Sequence, residues 1–290
     1  MAEPLPICYL NGEYLALTDA RISPLDRGFL FADSVYEVLP VFARRPFRFR
    51  EHFDRMARSL AAIRLDPPHS HAQWLAIVDG LIKRNSQGDC YVYAQISRGA
   101  EYGRNHAFPS RVTPTVFAMA APLPELTPAI HERGIAAVTR QDTRWARCDI
   151  KSTALLPNVL LKQEASDAGA QEALLVRDGE VAEGSSTTVF AVVGGVLVTP
   201  PNDHLRLPGT TREVVLELAT GLIPTTIRAI RVDELRSASE VWLAAATRDV
   251  LPVTTIDGAS VADGRPGPLW GKMSARFAAL RERLRGTPAL

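Results

Sequence analysis

The sequence predicts a two-domain α/β protein. Helical periodicities and short β-branched runs alternate through its 290 residues, and 46% of those are hydrophobic, enough for sizeable cores. Pro122, Pro124 and Pro128 crowd one stretch that disfavours both helix and sheet, which puts a linker at 122–128 between a small domain, 1–121, and a large one, 129–290. The first element is a hairpin, with residues 7–10 and 13–16 flanking Asn11-Gly12. Residues 34–42 are apolar and β-branched, as in a buried strand, and Arg44, Arg45 and Pro46 make a turn. Phe53, Met56, Leu60 and Ile63 recur at helical spacing within 51–65, and Trp74, Ile77, Val78 and Leu81 do so within 73–83. Strands follow at 90–97 and 115–120. Beyond the linker, strands are expected at 135–138, 173–177, 188–193, 196–199 and 240–245, with helices at 156–168, 211–222 and 272–284. No period of 20–50 residues marks a repeat fold.

Thirty-three basic and 32 acidic residues leave a net charge of +1, so the balance of charge favours neither nucleic acid nor an anionic membrane as partner. Cys8, Cys90 and Cys148 are far apart and odd in number, unlike a disulfide framework, and no pair has metal-ligand spacing. The N-terminal residues lack a basic stretch followed by an apolar run, and no run elsewhere reaches membrane-spanning length. A cytoplasmic location is the expectation.

Three segments carry chemistry. In Asp149-Ile150-Lys151-Ser152-Thr153 a lysine lies between apolar and small residues, just before a helix. Such an amine can condense with an aldehyde cofactor, although a lysine snorkelling at a strand end has the same appearance. In Glu183-Gly184-Ser185-Ser186 an acid sits at a glycine turn before a strand, where it can partner a ring nitrogen or simply face solvent. In Leu207-Pro208-Gly209-Thr210-Thr211-Arg212-Glu213 the spacing of Thr210 and Glu213 fits a capping box. A helix start with glycine and two hydroxyls also suits a phosphate, with Arg55 a candidate cation for it.

Together with Asp26-Arg27-Gly28-Phe29-Leu30-Phe31-Ala32-Asp33-Ser34-Val35-Tyr36-Glu37 and His52-Phe53-Asp54-Arg55, these segments span most of the chain. In order and spacing they resemble the fold type IV, or class IV, pyridoxal-phosphate aminotransferases. That family includes D-amino-acid aminotransferases, branched-chain aminotransferases and aminodeoxychorismate lyase. The resemblance implies a two-domain α/β homodimer with shared active sites, and pyridoxal 5'-phosphate as cofactor. It implies Lys151 as the Schiff-base lysine and proton carrier, and Glu183 as partner of the pyridine nitrogen. By the same resemblance Arg55, Thr210, Thr211 and Ser186 belong to the cofactor site, and Leu207 packs on the ring face. A further phosphate contact comes from the backbone of Ala246 or from Thr247, in a stretch where relatives often carry a hydroxyl and this chain carries Ala244, Ala245 and Ala246.

Within the family, Arg104 and His106 resemble the arginine and histidine with which D-amino-acid aminotransferases hold the substrate α-carboxylate in the partner subunit's site, and Tyr36 resembles their tyrosine. A planar guanidinium suits that bidentate task. The stretch from Ala100 to Gly103 makes this loop one residue longer than the pattern, and Pro40 stands where that subgroup can carry a lysine; both bear on side-chain preference. The expected reaction is ping-pong transfer of the amino group of a D-amino acid, of the D-alanine or D-glutamate type, to a 2-oxo acid. The alternatives are a branched-chain L-amino-acid aminotransferase, an (R)-amine transaminase, aminodeoxychorismate lyase, or a cofactor-binding protein without turnover. No metal is expected.

Overall fold

A computed structural model describes residues 3–85, 88–111, 113–124 and 126–286. The chain divides into two compact units: Met1–Pro124 with Ile150–Ala154 and Arg283–Leu290, and Glu125–Asp149 with Leu155–Glu282.

In the first unit β1 (Ile7–Leu10) and β2 (Glu13–Ala16) form the expected hairpin. Asn11 and Gly12 both have positive φ, 49° and 105°, the backbone that a two-residue turn between twisted strands requires. A short helix, α1 (Arg27–Phe31), follows, started by the Asp26 side chain accepting from Gly28 N at 2.8 Å. Next come β3 (Ser34–Phe42) and β4 (Arg45–Pro46), then α2 (Phe49–Ala62), α3 (His71–Asn85), β5 (Cys90–Ser97) and β6 (Thr115–Pro122). The strands run antiparallel in the order β2-β1-β6-β5-β3-β4. Val35 and Leu39 of β3 pack with Phe53, Met56 and Leu60 of α2 and Trp74, Val78 and Leu81 of α3 in one core. The turn expected at 44–46 lies earlier: Ala43 and Arg44 take positive φ, which frees Arg45 and Pro46 to pair with Phe42 and Val41.

The second unit contains α4 (Pro128–Arg133), β7 (Ile135–Gln141), α5 (Leu156–Asp167), β8 (Glu172–Arg177), β9 (Glu180–Gly184), β10 (Thr188–Val193) and β11 (Val196–Thr199). It continues with α6 (Thr210–Ala219), β12 (Thr225–Ile227), α7 (Val232–Ser237), β13 (Glu240–Ala245), β14 (Asp249–Ile256) and β15 (Ala259–Ser260). Last comes α8 (Pro268–Gly286), whose final residues, from Arg283 on, group with the first unit although they were expected in the large domain. The sheet order is β12-β11-β10-β13-β14-β7-β8-β9, with β15 on β14 and with parallel pairs β11·β12, β14·β7 and β7·β8.

Two expectations change. The proline stretch is not all linker: Pro122 ends β6 opposite Cys90, and Pro128 opens α4, a position where its missing N–H costs nothing. The segment with Lys151 was expected in the large domain, but Ile150–Ala154 groups with the first unit. The reason is backbone pairing along β3: Tyr36 N donates to Lys151 O at 2.9 Å and Thr153 N to Ser34 O at 3.1 Å.

Candidate active site

In the first unit the segment 151–153 lies against β3 at Ser34–Tyr36, where β4 does not reach, and Val35 bridges Ser152. Lys151 N donates to Ser59 Oγ at 3.1 Å, which ties the same segment to α2. The Lys151 amine sits 4.3 Å from the centre of the Tyr36 ring, and Tyr36 in turn stacks on Tyr93 at 5.5 Å. An amine over an aromatic face, half-buried, is held in one direction while remaining reachable. Pro40 shares Tyr36's side of β3 by strand alternation and is buried.

Glu37 points to the other side of β3 and is fully buried. His52 and Arg55, three apart on α2, share a helix face and converge on it. Arg55 Nε donates to Glu37 Oε1 at 2.7 Å and Nη2 to Oε2 at 2.8 Å, while His52 Nδ1 reaches Oε2 at 2.7 Å. Burial pushes the Glu37 carboxyl up, but Arg55 and His52 outweigh it and hold it well below the usual carboxylate range. Burial pushes the His52 imidazole down against the pull of Glu37, so the ring is neutral at pH 7 with its Nδ1 proton turned to the carboxylate. Arg55 is thereby a permanently oriented cation.

Arg104 and His106 lie in an exposed loop, with Tyr102 exposed beside them. The Arg104 guanidinium stands 5.0 Å from the Phe31 ring and the His106 ring meets Phe31 edge-on at 5.3 Å. Phe31 belongs to a motif segment that assigns it no role, and its ring brings the two together.

In the second unit Glu183 is not at a glycine turn as expected but on β9. The turn lies earlier, at Asp178-Gly179, where both residues have positive φ; that Asp-Gly pair is a hairpin signal the sequence reading passed over. Glu183 Oε1 pairs with Arg144 Nη1, and Oε2 accepts from Leu207 N at 3.2 Å. Arg144, also missed, is clamped by Asp142 through Nε at 2.9 Å and Nη2 at 3.0 Å. Burial raises the Glu183 carboxyl pKa, and the neighbouring guanidinium opposes the rise. Ser185 and Ser186 both turn their hydroxyls to Glu172, Ser186 at 3.1 Å. The buried Thr187 hydroxyl has no protein partner among the described residues, and a Cβ added to Gly184 would strike it at 2.0 Å.

The Leu207 bond leaves the Glu183 carboxylate three residues from α6. No capping box forms there: Gly209, not Thr210, is the N-cap and makes no side-chain cap bond, so Thr210 and Thr211 begin the helix proper. Both threonines are nearly buried, and a Cβ on Gly209 would press on Thr188 Oγ1 at 2.7 Å. The result is a helix start with N–H groups and two hydroxyls close together, suited to a dianion. Ala246 and Thr247 occupy the tight turn from β13 to β14, closed by Arg248 N donating to Ala245 O at 3.1 Å.

The Amino-transferase class IV family profile matches residues 34–256. A D-alanine aminotransferase of Bacillus licheniformis is 39% identical over 263 residues, 89% of this chain and 91% of that protein. Among solved structures, a branched-chain amino acid aminotransferase from Escherichia coli superposes with a TM-score of 0.88 at 26% identity, over 95% of this chain and 94% of its own. A branched-chain amino acid aminotransferase of T.th., with pyridoxamine 5'-phosphate, gives 0.87 at 26% identity, over 96% and 95%. With that profile covering well over half the sequence, and with a relative this similar along nearly its whole length, the chain belongs to the class IV aminotransferases.

Proposed function

We propose that the protein is a pyridoxal-phosphate transaminase that moves the amino group of a D-amino acid, of the D-alanine or D-glutamate type, to a 2-oxo acid in a ping-pong exchange. The observation that carries the substrate class is the loop holding Arg104 and His106 side by side on Phe31, in a chain 39% identical to a D-alanine aminotransferase. The donor set of the second unit fits the cofactor: a buried carboxylate, Leu207 bonded to it, and the start of α6 follow within a few residues. Bound there, pyridoxal phosphate would supply a carbonyl for the substrate amine and an electron sink for the breaking Cα–H bond.

The chain's own groups do the rest. Lys151 would hold the cofactor covalently and move the proton at the substrate Cα, with Tyr36 fixing the amine's direction. Glu183 would hold a proton at the pyridine nitrogen, with Arg144 opposing the rise in its pKa that burial causes. Thr210, Thr211 and the N–H groups of α6 receive the phosphate, with Arg55 adding charge and Ser186 and the Ala246–Thr247 turn completing the seat. Leu207 packs on the ring. Arg104, His106 and Tyr36 hold the α-carboxylate, which selects the enantiomer that presents its hydrogen to Lys151.

The assembly that fits this reading is a homodimer with shared sites. Leu156, Val159 and Leu160 lie on one face of α5, each more than half exposed. Apolar side chains grouped in this way mark a surface that is covered in use.

A second reading, L-amino-acid transamination with a branched-chain preference, is favoured by the two structural neighbours. Mixing the cofactor-loaded protein with single D- and L-amino acids and following the visible absorbance separates the two. Fast conversion with D-alanine or D-glutamate is expected; conversion with L-leucine or L-valine instead overturns the proposal in favour of the second reading.

A further inference from the structure

The loop with Arg104 and His106 is held from below by a side chain that the proposed chemistry leaves unused. Arg27 of α1 is buried, and its guanidinium meets three consecutive carbonyls of that loop. Nη1 donates to Asn105 O at 2.6 Å and Ala107 O at 3.4 Å, and Nη2 donates to His106 O at 3.2 Å. Nη1 also pairs with Glu101 Oε2 at 3.2 Å. On its other side, Arg27 Nε is fixed by Asp33 Oδ2 at 2.9 Å. The same carboxylate holds Arg98, at the start of the loop, through Nε at 2.7 Å and Nη2 at 3.1 Å. Arg98 Nη2 in turn donates to Ile63 O at 2.6 Å. One partly buried carboxylate, Asp33, thus anchors both the entry to the loop and the guanidinium beneath its tip.

Phe31, one helical turn on from Arg27, completes the support. Its ring lies 4.8 Å from the Arg27 guanidinium, 5.0 Å from that of Arg104 and 5.3 Å from the His106 ring. Two like charges on one ring would drift apart in water; here the first is bonded to backbone, so the second has a defined place. An exposed loop without regular structure otherwise samples many conformations, and a carboxylate meeting it would have to order it on binding. A guanidinium fork can serve three carbonyls at once, a geometry that a lysine ammonium on its flexible stem does not reproduce.

We propose that Arg27, with the Phe31 ring, is a positioning residue for substrate recognition. It fixes the backbone at 105–107 so that Arg104 and His106 meet the donor's α-carboxylate already arranged. This rests on the reading that those two residues bind that carboxylate. The positioning residue touches neither substrate nor cofactor, so its loss weakens substrate binding and leaves chemistry and cofactor affinity in place.

The test uses the full-length, cofactor-loaded enzyme carrying Arg27→Met, Arg27→Lys, Phe31→Leu or Arg104→Ala, and the double variant Arg27→Met/Arg104→Ala. Arg27→Met leaves the partly buried Asp33 paired with Arg98, and the Glu101 carboxylate that loses its partner is more exposed. The measurements are KM and kcat for D-alanine, the dissociation constant of pyridoxal phosphate, and the melting temperature. Arg27→Met should raise KM about tenfold with kcat and cofactor affinity within about twofold, the signature of lost ground-state binding. Arg27→Lys should raise KM by an intermediate amount. In the Arg104→Ala background, Arg27→Met should add less than about twofold, because the two act through one contact. Phe31→Leu keeps the carbonyl bonds and should raise KM in the same direction, which preserves the test if Arg27→Met lowers the melting temperature. If Arg104→Ala raises KM while Arg27→Met and Phe31→Leu do not, or if their effects multiply, the positioning role is wrong and the carboxylate reading survives. A parallel fall in kcat and cofactor affinity would mean that Arg27 only supports the fold, which also overturns the role. Should Arg104→Ala leave KM for D-alanine unchanged, the carboxylate reading itself fails and the positioning role falls with it.

Discussion

At the scale of single residues, the proposed chemistry concentrates in Lys151 and Glu183, and each has a distinct test. Lys151→Ala is expected to abolish turnover while the protein still folds, because the backbone bonds of Lys151 to Tyr36 and Ser59 do not involve its side chain. Borohydride treatment of the loaded wild type followed by peptide mapping should find the pyridoxyl group on Lys151; finding it on Lys83 or Lys162 would overturn the assignment. For Glu183 the relevant physics is the contest between burial, which favours the neutral carboxyl, and Arg144, which favours the ion. Glu183→Gln keeps the size and the acceptor for Leu207 N but cannot hold a full charge beside a pyridine nitrogen. The half-reaction with D-alanine should slow by roughly two orders of magnitude or more, the scale of losing one electrostatic contact in a closed site. Unchanged half-reaction rates in stopped-flow measurements would remove Glu183 from that role.

At the scale of elements, β3 and α2 form the platform for the lysine, and their joint is ionic. Glu37, His52 and Arg55 are buried together, and taking away one member leaves the others unpaired in a poor solvent for charge. Glu37→Ala is therefore expected to destabilise by about 3–5 kcal/mol, read as a lower urea midpoint at unchanged slope. Asp33 makes a second such joint: burial pushes its carboxyl up, but Arg98 and Arg27 outweigh that and hold it below its ordinary value. Both carboxyls have folded pKa values lower than unfolded ones. Their contribution is complete above the ordinary carboxylate range near pH ~4 and is lost as the pH falls through the lower folded values. Acid titration of stability should show a fall below about pH 4 that is smaller in Glu37→Gln, measured from that variant's own neutral-pH stability. An equally steep acid limb in the variant would show that the Glu37 joint does not contribute to it.

At the scale of the whole molecule, among the described residues no helix is long and apolar enough to cross a membrane. The exposed apolar residues of α5 call for a cover, and the proposed cover is a second copy of the chain. Sedimentation should give twice the chain mass of 31.7 kDa. Leu156→Asp/Leu160→Asp should shift that to the monomer with loss of transaminase activity but retained secondary structure, since neither residue lies in a core. A variant that stays dimeric and active would place the interface elsewhere.

What the sequence by itself determined was whatever a local pattern encodes. Asn11-Gly12 makes its hairpin because only certain residues tolerate positive φ in succession, and strands 34–42, 90–97, 188–193, 196–199 and 240–245 lie where β-branched runs put them. The motif segments were legible for the same reason: a lysine before a helix, an acid before hydroxyls and a Gly-Thr-Thr helix start are all short-range signals. Tertiary structure alone decided what depends on residues far apart in the chain. Lys151 joins the first unit because its carbonyl accepts from Tyr36 N and the Thr153 N beside it donates to Ser34 O, more than a hundred residues away. Arg144 meets Glu183, and Arg27 meets the carbonyls of 105–107, through bonds that no spacing in the sequence announces. Arginines are common on protein surfaces, and only burial beside particular acceptors separates these from the rest.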